Sequence, residues 1–454
     1  MIYPAYAPLS AKRALQKPTI PNGWTVRRLK FIATCNDETL PETTDPEFEM
    51  EYVDISSVNL IDGITGIETL DFEKAPSRAR RVVKEGDTIV STVRTYLKAI
   101  ASIESPPENM IVSTGFAVIR ALKFIDRKFL GYALQSVAFI DAVVANSTGV
   151  SYPAINPTTL VCLFVSYPED KGTQQEITVF LDRKTSQIDA LIAKKQELLE
   201  KLKEKRLAVI TQAVTKGLDP DAPMRDSGIA SLGEVPAHWS VKPLRRVVTS
   251  IEQGWSPECE NTSASLDEWG VVKAGCCNGG AFDPDENKTL PSDRNPPENL
   301  EIRAGDLLMS RANGSEELIG SVALIPLETR RKLILSDKTY RLRYEVGVLP
   351  EFLAHTLQSP STRFQILAAI SGASGLAKNI AQSDVKNFLL PIPPLAEQRS
   401  IANYLDAAIE KLVAMQSIAE SAITRLTEYR TALITAATTG KIDVRNWQAT
   451  EKAA

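Results

Sequence analysis

The chain repeats itself, so any fold for it has to be built twice. Residues 20–30 read IPNGWTVRRLK and residues 235–245 read VPAHWSVKPLR, with Pro, Trp, Val and Leu in the same places. The echo continues downstream. EGDTIVS (85–91) meets AGDLLMS (304–310), KFLGYALQS (128–136) meets EFLAHTLQS (351–359), and Tyr167-Pro168 meets Ile392-Pro393. From Gln174 to Thr215 the chain aligns with Gln398 to Thr439 without a gap, at a constant shift of 224. The identical pairs there include Gln174/Gln398, Ile177/Ile401, Leu181/Leu405, Asp182/Asp406, Leu202/Leu426, Arg206/Arg430 and Ile210/Ile434. Two unrelated amphipathic helices share leucines by chance, but they do not also share Gln, Asp and Arg in register. The chain is an internal duplication.

Each half has two parts. The first is rich in short β-like runs broken by Gly, Pro, Asn and Asp, such as RRVVKEGDTIVSTVR (80–94) and KLILSDKTYRLRY (332–344). These runs have the alternation or short apolar clusters of strands, and the Gly-Asp before TIVS and LLMS is a turn signal feeding a strand. Helices are expected at 127–144 and 350–370. The second part is one long helix. Its apolar stripe in the first half runs through Ile188, Leu191, Leu198, Leu202, Val209 and Ala213, with Lys195 and Lys205 filling two seam positions. In the second half it runs through Leu412, Ala419, Ile423, Leu426, Leu433 and Ala437, with Gln416 and Arg430 in the seam. Two helices with one stripe each satisfy each other as an intramolecular coiled coil. The Pro/Gly/Asp-rich crossing after Gly217 makes that pair antiparallel. A helix of about forty residues is about 60 Å long.

The expected fold is therefore mixed α/β (α+β), a tandem repeat of a globular domain and a long helix. The boundaries read as an N-terminal extension (1–20), a first globular domain (21–172), a central helix (173–217), a linker (218–235), a second globular domain (236–395), a distal helix (396–440) and a tail (441–454).

Composition narrows the function. With 43% hydrophobic and 24% charged residues, 454 residues can bury two to four cores. No apolar run is long enough to cross a bilayer and the N-terminus lacks a signal-peptide core, so a cytoplasmic protein is expected. The five cysteines are scattered, apart from the adjacent pair Cys276-Cys277, which is not a Cys-x-x-Cys metal or redox pair. Only His238 and His355 offer imidazole, which weakens metalloenzyme and triad readings. No phosphate loop of the Gly-x4-Gly-Lys-Ser/Thr type is present, so the chain is not expected to be a motor. NPPE (295–298) lacks the aromatic that amino-methyltransferases stack on a flipped base, and the carboxylates of PDENK (284–288) are too crowded for a nuclease. No cofactor and no metal are expected. The net charge of -4 advertises no nucleic acid globally, although positive charge can be local.

The whole pattern resembles one family. The duplicated architecture, the inter-domain run PMRDSGIASLGEVPAHW (223–239) and the helix entries PIPPLAEQRSIANYLD (391–406) and YPEDKGTQQEITVFLD (167–182) are similar to the specificity subunits of type I restriction-modification enzymes. The first helix entry departs from the pattern, with Thr173 where the second has Glu397. The resemblance implies a non-catalytic subunit with two target-recognition domains, each reading one half of a split, asymmetric sequence in double-stranded DNA. It implies that the long helices separate the domains and dock two methyltransferase subunits, joined by restriction/translocase subunits in the full complex. The seam residues Ile188, Leu191, Leu198, Leu202, Val209, Leu412, Ile423, Leu426 and Leu433 are the candidates for helix pairing and partner docking. Two alternatives stay open: a two-headed coiled-coil adaptor that never touches DNA, and the specificity subunit of a related type II system.

DNA contact needs positive charge for phosphates and forked or amide side chains for base edges. Residues 72–100 carry seven Lys or Arg against three Asp or Glu. Arg94, Tyr96 and Lys98 follow a strand directly, where loops present function. Arg311 and Asn313 stand at the matching place in the second half. The small-residue loops STGVSYPAIN (147–156) and SGASGLAKNI (371–380) allow close approach to DNA, which adds Ser151, Tyr152, Lys378 and Asn379. Lys338 is a further candidate. Trp24 and Trp239 are expected in the cores rather than against bases.

Overall fold

In the computed structural model, residues 20–371, 378–445 and 447 are described. The expected N-terminal extension up to Thr19 and most of the tail therefore lie outside the described residues, as do residues 372–377 of the second small-residue loop. The chain forms two compact units, residues 1–197 with 419–454, and residues 198–418.

The first unit is built on a four-stranded antiparallel sheet. Its order is Ala33–Cys35, Phe116–Ala121 (β2), Thr88–Ser91 (β1) and Ile100–Ser102. A second four-stranded sheet orders Glu68–Asp71, Glu49–Val53, Met110–Ser113 and Ala79–Val82, with one parallel pair between Met110–Ser113 and Glu49–Val53. The long helix α1 (Lys171–Lys216) follows. The second unit repeats the plan. Its antiparallel sheet orders Val248–Gln253, Thr339–Tyr344 (β4), Leu307–Ser310 (β3) and Val322–Leu324. A three-stranded sheet again contains one parallel pair, Gly270–Val272 with Leu333–Ile334. The long helix α2 (Leu395–Thr438) closes the repeat. The fold is the expected mixed α/β type with two long helices.

The shared residues explain the shared geometry. The Asp of each Gly-Asp signal is buried, and its carboxylate accepts a turn N–H, from Lys84 to Asp87 at 2.8 Å and from Arg303 to Asp306 at 2.9 Å. An arginine at the same place on the neighbouring strand completes each carboxylate: Arg120 donates to Asp87 at 2.8 Å and Arg343 to Asp306 at 2.7 Å. A buried carboxylate is tolerated only when charged and hydrogen-bonded partners replace water, so the turn signal is also a buried ion pair.

The long helices contribute half to each unit. In the first unit Ile177, Phe180, Leu181, Ile188 and Ile192 of α1 share a core with Leu433, Ile434 and Ala437 of α2, and Ile423 and Leu426 pack against it. In the second unit Ile210, Ala213 and Val214 of α1 share a core with Ile401, Ala402 and Leu405 of α2. The start of α1 thus meets the end of α2 and the end of α1 meets its start, which is antiparallel pairing. Leu202 and Leu412 are also buried, while Leu198 and Val209 are partly so. One seam assignment is corrected. Leu191 faces outward at 48% exposure and Ile192 takes the inner place at 7%, because contact with the first globular domain sets the phase of α1 there. Arg430 sits in the seam as expected and donates to Asp189 at 2.9 Å.

Both helix ends close on a tryptophan from the other half of the duplication. Gly217, just past α1, has φ +75°, and a Cβ there would lie 3.2 Å from the Trp239 ring. Gly440, just past α2, has φ +71°, and a Cβ there would lie 2.4 Å from Pro21 and 3.1 Å from Trp24. Left-handed C-cap positions favour glycine. Trp24 and Trp239 are core residues, 6% and 2% exposed.

Candidate nucleic-acid interface

The first candidate surface begins where β1 ends. Thr88 to Ser91 are all buried, which fixes the point at which the chain leaves the sheet. Beyond it, the Thr92 amide donates to Gly115 O at 2.8 Å, and Thr92 O accepts from the Ile155 amide at 2.9 Å. The chain then makes a single 3-10 turn, Thr95–Leu97, with a left-handed residue on each side: Arg94 (φ 50°, ψ 47°) and Lys98 (φ 54°, ψ 37°). Neither is glycine, so each conformation costs roughly 1–2 kcal/mol. Such backbone persists only where the surroundings over-determine it. The surroundings here are explicit. Thr95 is 3% exposed, its amide donates to Pro153 O at 3.3 Å, and its hydroxyl pairs with that of Ser147 at 2.8 Å.

That pedestal brings the two predicted loops together. The Arg94 guanidinium lies over the Tyr152 ring, 5.1 Å from its centroid. Tyr96 and Lys98 share its turn, and exposed Ser151 adjoins Tyr152. Tyr96 and Tyr152 are 51% and 66% exposed. Among the described residues neither Arg94 nor Lys98 forms an ion pair. The rest of the basic tract is different. Arg78 pairs with Asp54 at 2.8 Å, Arg80 lies over Phe72, Arg81 donates to Thr39, and Lys84 pairs with Glu38. Arg80 and Arg81 keep their charge on neutral partners at half-buried positions, so the exposed cations of the tract without an ion pair among the described residues are Arg94 and Lys98. Sequence reasoning passed over Leu97, 48% exposed in the same turn, and Val150, fully exposed beside Ser151. An apolar side chain set between cations in a loop was the available signal.

The second surface has the same root and a different finish. β3 ends at Ser310, and Arg311 O accepts from the Ile380 amide at 3.1 Å, as Thr92 O does from Ile155. Strand pairing sets Ala312 against Asn379 and Asn313 against Lys378. The Arg311 amide donates to Lys338 O at 2.8 Å. Arg311, Asn313, Lys338, Lys378 and Asn379 therefore converge. Their heads are more committed than those of the first unit. Arg311 donates to the Tyr340 hydroxyl at 3.1 Å and to Asp337 O at 3.3 Å, which occupies two of its five N–H donors. Lys378 pairs with Glu316 and Lys338 with Asp337. The Asn313 side chain accepts from the Ser315 amide at 3.4 Å, an Asx turn. Burial pushes the Tyr340 phenol above its usual range, so it stays a neutral anchor for Arg311.

Other clusters serve structure. A cavity of about 690 Å³ is lined by Glu252, Asp306, Arg341 and Arg343. Burial alone would raise the Glu252 carboxyl, but hydrogen bonds from Arg341 and Arg343 outweigh it and hold it below its usual range. These charges satisfy one another. Cys276 and Cys277 are fully buried with sulfurs 3.6 Å apart. Among the described residues no group of three or more His, Cys, Asp or Glu is placed to hold a metal ion, and no single helix is long and apolar enough to cross a membrane.

Residues 294–421 match the family model described as type I restriction modification DNA specificity domain. The chain is 27% identical over 212 residues to the type I restriction enzyme EcoEI specificity subunit of Escherichia coli, an alignment covering 46% of this chain and 35% of that relative. It is 23% identical over 334 residues to the EcoKI specificity subunit of Escherichia coli K12, covering 73% of this chain and 69% of the relative. A solved structure titled for complex assembly and conformational transition of the type I R-M system superposes with a TM-score of 0.71 at 23% identity, over 94% of this chain and 100% of that one.

Proposed function

We propose, from its similarity to type I restriction-modification specificity subunits, that the chain is the non-catalytic, DNA-reading part of such a complex. Each globular domain contacts one half of a bipartite target in double-stranded DNA. The observation that carries this reading is the duplicated root of the two candidate surfaces. In both units the strand after the Gly-Asp turn ends in a loop tied by an equivalent hydrogen bond to a small-residue loop. The same scaffold therefore presents two different sets of side chains: Arg94, Tyr96, Lys98, Ser151 and Tyr152 in one, and Arg311, Asn313, Lys338, Lys378 and Asn379 in the other. Different sets on a common scaffold suit an asymmetric target. Helices of 46 and 44 residues, about 69 and 66 Å by their rise, are long enough to set a spacer. Their outer faces dock two methyltransferase subunits, and restriction/translocase subunits join in the full complex. The cytoplasm, where DNA and these partners meet, is the place of action.

The test is selection from a random DNA library by the chain bound to its methyltransferase, at moderate salt. The expected product is a split sequence of two unlike half-sites. Arg94→Ala should weaken preference in one half-site alone, by about 1–3 kcal/mol if the guanidinium reads a base edge. If it meets a phosphate instead, the salt slope should fall by about 0.9. Recovery of no sequence preference would overturn the reading and leave the two-headed adaptor.

A further inference from the structure

The duplication makes one cation conspicuous. Arg430 and Arg206 occupy the same place in the two halves, at the shift of 224. Arg430 is 12% exposed at its side chain and donates to Asp189 at 2.9 and 3.4 Å. The position that corresponds to Asp189 in the second helix is Val413. Arg206 therefore lacks the carboxylate that its twin has. Its Nη2 donates to Gly279 O at 3.2 Å, and among the described residues it forms no ion pair. It is also half-buried, and that burial alone holds its pKa below the usual range. A partly desolvated guanidinium without a counter-charge is unfavourable unless something completes it.

The space beside it has a definite character. A pocket of about 350 Å³ on the second unit is lined by Arg206 with Leu207, Ile210, Leu357 and Ile366, and also by Lys203. Glu317 lines it too, but its charge acts on Arg363, whose pKa burial lowers. The wall thus combines apolar side chains with three cations, Lys203, Arg206 and Arg363, and one carboxylate, Glu317, and among the described residues Arg206 has no ion-pair partner. Leu207, which lines it, is 49% exposed, and Val413, at the place that matches Asp189, is 48% exposed. Exposed apolar side chains beside a pocket mark an interaction site, and a small free acid would leave them wet.

We infer that the Arg206 pocket receives an Asp or Glu side chain, flanked by apolar residues, from the methyltransferase subunit that docks on the long helices. The inference rests on the docking proposed above and names the contact that anchors it. The partner's carboxylate takes in the second unit the place that Asp189 holds in the first. An Arg–carboxylate pair of this kind is forked and directional, so it fixes register as well as contributing affinity.

The decisive variant is Val413→Asp, which places inside the chain the carboxylate that the partner would bring. Val413 is half exposed, so the aspartate is tolerated, and circular dichroism with thermal unfolding verifies the fold. The full chain is titrated with its methyltransferase by isothermal calorimetry, with Arg206→Gln alongside. Wild type should bind. Val413→Asp and Arg206→Gln should each weaken binding at least 10-fold, and both should flatten its salt dependence. Folded Val413→Asp and Arg206→Gln chains that bind as tightly as wild type, with the same salt dependence, would overturn the inference and leave helix docking intact. A wild-type chain that does not bind the methyltransferase would remove the docking reading itself.

Discussion

Gln174 and Gln398 are 0% and 1% exposed at the start of the two long helices. Each amide serves two backbone segments. Gln174 donates to Pro168 O at 2.9 Å and accepts from the Asp126 amide at 2.6 Å. Gln398 donates to Pro393 O at 3.0 Å and accepts from the Leu349 amide at 2.8 Å. Each glutamine thus ties a strand, a short helix and a long helix together, which is why the residue survives in both halves. Gln398→Leu keeps most of the volume but leaves buried backbone groups without partners. It should cost about 2–3 kcal/mol in urea unfolding of the second unit; a loss below about 0.5 kcal/mol would mean water replaces the amide. Residue identity carried this signal, because a glutamine matched in register among leucines asks for a polar task. The neighbouring mismatch, Thr173 against Glu397, has a local cause too. Thr173 donates to the Asp170 cap, while Glu397 accepts from or pairs with His238 at 2.9 Å. The strain at Arg94 and Lys98 had no such signal, since neither residue type encodes a positive φ. The ties on Arg311 were equally hidden, because Tyr340 and Asp337 lie 29 and 26 residues away in sequence.

Among the elements, the long helices were the most legible. The expected spans, 173–217 and 396–440, fall within two residues of Lys171–Lys216 and Leu395–Thr438. Their length and periodicity needed no knowledge of the globular parts. Their phase did need it. An apolar pattern offering both Leu191 and Ile192 cannot say which one a neighbouring domain covers, and the structure chose Ile192. The strands were legible as runs, but the split of the basic tract between a sheet and a loop was not, because pairing partners such as Asp54 and Thr39 come from other runs. If the helices set the spacer, inserting four residues at matched places in both should lengthen them by about 6 Å. Library selection should then return a changed spacer between unchanged half-sites. Altered half-sites with an unaltered spacer would count against a measuring role.

At the scale of the molecule, neither unit is made from one half of the duplication alone. The first needs the end of α2 and the residues beyond it: Val444 and Trp447 are buried in its core, and Trp447 stacks edge-on against Phe180 with centroids 5.6 Å apart. Trp447→Ala should therefore destabilise a unit whose globular domain lies more than 270 residues upstream, by about 3–5 kcal/mol. Hydrogen exchange resolved by peptide should show the loss in residues 20–197 and little change in 198–418. Equal loss in both would mean the units unfold as one. The segmental make-up also orders events in time. Residues 198–418 form a contiguous stretch that can close as soon as it has been made, whereas the first unit waits for residue 447. At roughly 10 residues per second of synthesis that wait lasts on the order of tens of seconds. During it, Ile177, Phe180 and Leu181 have no α2 to cover them. The part of the chain that is born first is the last to finish folding, and in the interval its unfinished apolar surface is the molecule's point of exposure to aggregation.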